Sequence, residues 1–455
     1  MYIETINPAT EKLIKRYDFQ NASSIQQCIE DAHLAFCSWR KETFEGRKKL
    51  MLEMAQLLRQ EKEALAYLIV EEMGKPIAAA LSEIEKCAWV CEHYAEHAEA
   101  YLAPFPIETE HHKSSVVYQP LGVVFAIMPW NFPFWQVFRF AAPTIMAGNA
   151  ALLKHAPITT GCGLAIQALF EKAGFKKGIF QTLLLSNEQA EEVIAHPHVV
   201  AVTLTGSSRA GSHVASTAGK YLKRAVLELG GNDPYLVLAD ADLKLAAECI
   251  VTSRLSNAGQ SCVAAKRIIV VEEVYDAFIE QVVQEMKRYE IGAPQLSTTT
   301  MGPIARADLR ETLHQQVLKS QAKGAVVLVG GKIPECQGFF YPPTLLVDMI
   351  PGMPAFDEEL FGPVIAVMKV KDEASAIAFA NQSQFGLGGG VFTRDLIRGE
   401  KIATEEIESG TCFVNQFVSS DPRLPFGGIK QSGYGRELSR SGILEFVNVK
   451  TVVVN

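Results

Sequence analysis

Apolar residues recur at three- and four-residue steps through residues 50–73 and again beyond, so the span 23–103 reads as helical. A Gly-Pro turn, Glu72 to Pro76, punctuates it. From residue 115 the texture changes to two β-rich runs on either side of Pro120-Leu121-Gly122, followed by a Pro-bounded loop at 129–133. Short apolar runs then alternate with helical text. AALLKHAP precedes a helix near 160–174, TLLLS one near 187–195, and VAVTLTGS one from about 209. That alternation predicts βαβ units on a parallel sheet. A second series (YLVLAD, RIIVV, AVVLVGG, PVIAVMKV) starts near 235 and predicts a second α/β domain. The closing EFVNVKTVVV reads as an exposed strand in need of a partner edge.

Composition narrows the class. A chain of 455 residues exceeds what one core serves, so two or three domains are expected. A formal charge of −8 argues against nucleic acid as the main partner, although a local basic pocket for a small anion is compatible with it. Nine irregularly spaced cysteines do not form a disulfide framework, and reduced thiols in the cytoplasm are the better reading. The opening MYIETINPATEKLIKRYD lacks the apolar core of a signal peptide, and no run reaches the roughly 18 apolar residues that span a bilayer. A soluble protein without membrane contact is expected.

Four features carry candidate chemistry. Cys262 follows a small Gly-containing loop, Asn257 to Ser261; it is either an inert buried thiol or a nucleophile needing a base or field to become thiolate. Glu228, in LELGG, is either an element-end charge or a tuned general base. Asn131, inside PWNFP, is either a turn residue or a donor to a developing oxyanion. Arg139, eight residues on in an aromatic segment, is either half of a structural ion pair or the ligand of an anion.

Taken in order, PWNFP (129–133), LELGG (227–231), GQSC (259–262), ELFGPV (359–364) and PFGGIKQSGYGRE (425–437) resemble the aldehyde dehydrogenase superfamily over essentially the whole chain. The resemblance implies an α/β fold of two parallel-sheet Rossmann-type domains plus a small oligomerisation β element. It implies a cofactor domain at 1–107 and 125–234, an oligomerisation hairpin at 108–124, and a catalytic domain at 235–414. Residues 415–455 would return to the cofactor domain and end in an oligomerisation strand. Cys262 resembles the nucleophile, Glu228 the general base, and Asn131 with the Cys262 N–H the oxyanion hole. Thiolate attack would give a thiohemiacetal, loss of hydride to a nicotinamide a thioester, and water activated by Glu228 the acid.

No GxGxxG is present, but Thr205-Gly206-Ser207 opens a helix after a predicted strand, as a phosphate cradle does. Within the resemblance, Gly206 and Ser207 look like pyrophosphate contacts and Trp130 a wall of the groove. Lys154 looks like the adenosine-ribose contact, Glu359 the nicotinamide-ribose contact, and Phe361 a neighbour of the ring. NAD-preferring relatives often carry Glu where this chain has Pro157; its absence implies that both NAD and NADP serve. No metal is implied.

Around Arg139 the segment is similar to that of bacterial succinate-semialdehyde dehydrogenases, in which this arginine holds the distal carboxylate. Ser419 and Ser420 would add hydroxyls and Trp135 an apolar wall. Some relatives carry a second arginine six residues before the cysteine; Ser256 stands there, which implies a single guanidinium anchor and looser selectivity. A homodimer or homotetramer is implied. The rivals are a cofactor-independent thiol esterase, a broader-specificity aldehyde dehydrogenase, and a catalytically dead homologue. His93-Tyr-Ala-Glu-His97 matches an inverted zinc-protease string but reads as an amphipathic helix face; Cys87 and Cys91 read as core.

Overall fold

A computed structural model describes residues 2–455. The helical span is four helices, Ala22–Trp39, Phe44–Gln60, Lys62–Met73 and Ile77–Tyr101. The first two are capped by Asn21 and Thr43, whose side chains accept from the N–H groups of Ser24 and Gly46 at 2.8 and 3.0 Å. The third ends at Gly74, φ +80°, the left-handed C-cap that the Gly-Pro turn demands.

Six strands form the first sheet, in the order Gly433–Tyr434, Arg224–Glu228, Val199–Thr205, Val123–Met128, Ala150–His155, Phe180–Thr182. All neighbours are parallel except the first pair. Alternation along these strands divides their side chains between two cores. Val124, Ala126, Ala151 and Leu153 face the helices Trp135–Met146 and Thr160–Lys172, while Val123, Phe125, Ala150 and Leu152 face Ala22–Trp39. A second, seven-stranded sheet runs Val326–Val329, Thr344–Val347, Val364–Val370, Arg267–Val271, Pro234–Val237, Gly388–Phe392, Thr411–Val414 over its own core. It is parallel but for its antiparallel edge Val326–Val329. The two α/β units expected from the alternation are both present.

The expected hairpin differs in its limits. Phe105–Ile107 pairs with Lys113–Pro120, whereas residues from Val123 onward are a central strand of the first sheet. The C-terminal strand Val447–Val454 finds its partner edge within the chain, antiparallel to Lys113–Pro120, and its own outer edge carries exposed Val449 and Val453. TLLLS supplies only the end of the short strand Phe180–Thr182. No helix is long and apolar enough to cross a membrane, among the described residues.

One buried ion pair positions the site. Glu83 accepts from the N–H groups of Phe134 and Trp135 at 2.9 and 3.0 Å, at the start of the helix Trp135–Met146, and pairs with Lys75. Lys75 in turn sits 3.7 Å from the centroid of the Phe132 ring. Removing one partner strands the other charge, so Glu83→Ala is expected to cost roughly 3–5 kcal/mol of stability in a denaturant titration.

Candidate active site

The thiol stands on a loop with an unusual backbone. Asn257, Ala258 and Gly259 are consecutive left-handed residues, φ 54°, 52° and 70°. A Cβ on Gly259 would lie 2.2 Å from the Gly362 carbonyl, so only glycine lets this loop touch the ELFGPV segment. That segment is fixed from behind by the buried Arg254, which donates to the carbonyls of Val364, at 2.6 Å, and Leu360. Amides lace the loop to PWNFP. Asn131 Nδ2 donates to the Gln260 carbonyl at 3.1 Å, and Asn257 Nδ2 to the Asn131 carbonyl at 2.9 Å. An amide nitrogen carries two hydrogens, so Asn131 keeps one N–H beyond its bond to Gln260. Lys266 Nζ donates to the carbonyls of Ser261, at 3.0 Å, and Cys262, and lies 3.2 Å from Glu359 Oε1.

Two cavities meet at this loop. One, of about 470 Å³, is lined by Trp130, Asn131, Gly206, Ser207, Glu359 and Phe361 together with Cys262. The other, of about 390 Å³, is lined by Lys86, Trp135, Arg139, Ser419 and Ser420 together with Cys262. Gln136 also borders both, and its buried Oε1 has no protein partner. Burial pushes the Cys262 thiol up to about 11; Arg139 and Lys266 pull it down, Glu359 and Asp233 up.

The first cavity fits a dinucleotide. The helix Ser208–Lys220 starts on its wall, capped by Ser207 Oγ, which accepts from the Ala210 N–H at 3.3 Å, so first-turn N–H groups face the groove. Thr205 Oγ1 is buried beside them with no partner among the described residues. Trp130 and Phe361 meet edge to face, 5.7 Å between centroids. Glu359 accepts from the Gly231 N–H at 3.1 Å, and a Cβ on Gly230 would sit 2.5 Å from Glu359 Oε2, so this carboxylate closes onto bare backbone. Lys154, at the end of Ala150–His155, lines an adjoining cavity of about 390 Å³ with Arg209 and His213; Arg209 borders both grooves. Burial lowers the Lys154 pKa.

Glu228 is the expected residue that this arrangement does not bring to the thiol. It ends the strand Arg224–Glu228, and its carboxyl turns toward the Gly-rich segment, where a Cβ on Gly427 would lie 2.7 Å from Oε1. Both oxygens are buried without partners among the described residues. Burial, then the neighbouring Glu437, pushes its pKa well above the usual carboxylate range. Arg139 also departs from the simplest expectation. It meets an anion of the protein itself, its Nε pairing with Glu437 Oε2, while Nη2 is left buried without a partner among the described residues. Ser256, where some relatives place a second arginine, lines the same cavity. The residues that sequence reasoning passed over are Lys86, Gln136, Arg209 and Lys266. His93 and His97 stack on each other, 4.6 Å apart, and Cys87 and Cys91 are buried as expected.

The comparisons agree with this architecture. The aldehyde dehydrogenase family pattern matches residues 1–452. A probable NADP(+) succinate-semialdehyde dehydrogenase of Synechocystis sp. is 46% identical over 452 residues, 99% of each chain. A succinate semialdehyde dehydrogenase of Escherichia coli, named for NAD(P)+, is 43% identical over 98% of this chain and 97% of its own. The crystal structure of succinic semialdehyde dehydrogenase from Streptococcus pyogenes, in complex with NADP+, superposes with a TM-score of 0.97 at 37% identity, covering 99% of both chains. With a thiol loop between two cavities, five motifs in order and relatives matched end to end, the chain belongs to the aldehyde dehydrogenase family.

Proposed function

We propose that the enzyme oxidises succinate semialdehyde to succinate with NADP or NAD, using Cys262 as nucleophile. The supporting observation is that Cys262 borders both cavities, one lined by a helix N-terminus, Glu359 and two aromatic rings, the other by Lys86 and Arg139. Relatives at 43–46% identity bear that substrate in their names.

The thiolate of Cys262 attacks the aldehyde carbon, and the second N–H of Asn131 with the Cys262 backbone N–H receives the oxyanion. One such donor contributes on the order of 3 kcal/mol. A nicotinamide dinucleotide, when bound, supplies the hydride acceptor; Trp130, Gly206, Ser207, Lys154, Glu359 and Phe361 would hold it. The resting thiol, raised to about 11, gives its proton chiefly to solvent, and Glu228 only assists that step, once its carboxyl leaves the Gly427 side. Back at Cys262, the same carboxylate activates the water that frees the acid. Arg139 offers Nη2 to the distal carboxylate, Trp135 forms the wall, and Ser419 and Ser420 add hydroxyls.

The cofactor domain comprises 1–104 with 123–234, limits that the strand pairing shifts from the expected 107 and 125, and the catalytic domain 235–414. The strand pair Lys113–Pro120 and Val447–Val454 offers its free edge to a second copy, giving a dimer or a pair of dimers in the cytoplasm.

The proposal is tested by following cofactor reduction with aldehydes of equal length, with and without a terminal carboxylate. A kcat/KM advantage for the carboxylated aldehyde is expected, and indifference to it contradicts the substrate assignment. For the cofactor, Pro157 brings no carboxylate to repel a 2′-phosphate, and Lys154 and Arg209 add positive charge. Turnover with NADP is therefore expected, and its complete exclusion would contradict this reading.

A further inference from the structure

The substrate cavity contains a second cation that no motif announces. Lys86 lies on the helix Ile77–Tyr101, far in sequence from the thiol loop, yet its side chain reaches the cavity wall beside Ser420. Its ammonium donates to Ser420 Oγ at 2.9 Å and sits 4.4 Å from the centroid of the Trp135 ring. An ammonium carries three donors, and among the described residues no carboxylate pairs with this one, so two remain for a ligand. The nearby acids are committed elsewhere. Glu83, three residues back on the same helix, holds Lys75 and the start of Trp135–Met146. Asp421 pairs with Arg423 at 2.6 Å.

The charge balance separates Lys86 from Arg139. The arginine is matched by Glu437, so the pair is neutral as a unit. The lysine is half-buried and unmatched, a state that an incoming carboxylate relieves. We infer that Lys86 is the cation that neutralises the distal carboxylate of the substrate, with Arg139 Nη2 and the two serine hydroxyls as its supporting donors. Selectivity for acidic aldehydes then comes from the long helix, and Ser256 does not leave the cavity with one anchor. This rests on the proposed reading of the substrate as a carboxylated aldehyde.

The electrostatics give the inference a pH signature. Burial, and next the positive Arg139, lower the Lys86 pKa to about 8. Facing it are Glu83 and Cys87 from its own helix, Arg139 from Trp135–Met146, and Asp421 from the C-terminal segment. A lowered amine pKa means that charge disappears as pH rises through that value, so carboxylate binding weakens above about 8.

The test compares wild type, Lys86→Gln and Lys86→Arg with succinate semialdehyde and with butanal. Lys86→Gln is expected to raise the KM for succinate semialdehyde roughly 10–100-fold. The loss in kcat, and the loss with butanal, should be far smaller than the rise in this KM. Lys86→Arg should keep the affinity. The ratio of the two KM values should climb above about pH 8 in wild type and stay flat in Lys86→Arg. An unchanged succinate semialdehyde KM in Lys86→Gln, with wild type still preferring it to butanal, overturns the inference alone. A wild type that does not distinguish the two aldehydes overturns the substrate assignment, and the inference with it.

Discussion

Cys262→Ala is expected to reduce aldehyde oxidation by on the order of 10⁴–10⁶-fold, the cost of removing a covalent nucleophile, while leaving cofactor binding intact. The proposed cofactor groove is lined by Trp130, Gly206, Ser207, Glu359 and Phe361, and none of these depends on the sulfur for its position. The loop geometry rests on Gly259, on the amides of Asn131 and Asn257, and on Lys266 bound to main-chain carbonyls. Loss of one Sγ therefore removes chemistry without removing structure. Cofactor titration by fluorescence, alongside steady-state rates, checks both halves. A variant that still turns over near the wild-type rate would show that another group attacks the aldehyde. Alkylation of the wild-type thiol by iodoacetamide should accelerate with rising pH toward about 11, because the neutral thiol is the resting form.

Glu228→Gln should slow steady-state turnover by roughly 10²–10⁴-fold, the range of a general base. The loss should fall on release of the acid, so a first burst of reduced cofactor is expected before the slow phase. Its effect on stability has the opposite sign to that of most buried substitutions. The folded-state pKa of Glu228 is raised, so the stability this carboxyl contributes is fully present below the usual value of about 4.5 and declines as pH rises toward the folded-state pKa. Glutamine cannot ionise, so the variant should melt at or above the wild-type temperature near neutral pH. The difference should shrink toward pH 4.5. A variant that melts well below wild type near neutral pH would show that the carboxylate is a structural partner in the native state.

What the sequence disclosed follows from how local each signal is. The motif strings are short and contiguous, and each occupies one turn or strand end, so PWNFP, GQSC and ELFGPV are legible in one dimension as walls of the cavity beside Cys262. The parallel sheets announced themselves through apolar runs alternating with helical text. Gly388–Phe392 escaped, because three glycines read as a loop by propensity. In the sheet, however, they pack against Asp233 and Tyr235, where a Cβ on Gly390 would come within 2.6 Å of the Tyr235 ring. The limits of the hairpin escaped because Val116-Val117 and Val123-Val124 look alike in one dimension while pairing into different sheets.

Lys86 and Glu437 were illegible for a different reason. A lysine in the amphipathic text EIEKCAWVCEH looks solvated, and a glutamate beside Arg436 looks like a surface pair. Only the packing of Ile77–Tyr101 against Trp135–Met146 and the C-terminal segment turns both inward, which makes Arg139 half of an ion pair and leaves Lys86 the unmatched charge. The orientation of the Glu228 carboxyl toward Gly427 is likewise a property of three dimensions.

The central claim is that one sulfur, between a phosphate-binding groove and a carboxylate-binding cavity, carries the acyl group through the reaction. Glu228→Gln enzyme, mixed with succinate semialdehyde and NADP and quenched in acid during the burst, should yield peptides in which Cys262 alone carries a succinyl thioester. An unmodified Cys262 after a measured burst, or the acyl group on another residue, contradicts the claim.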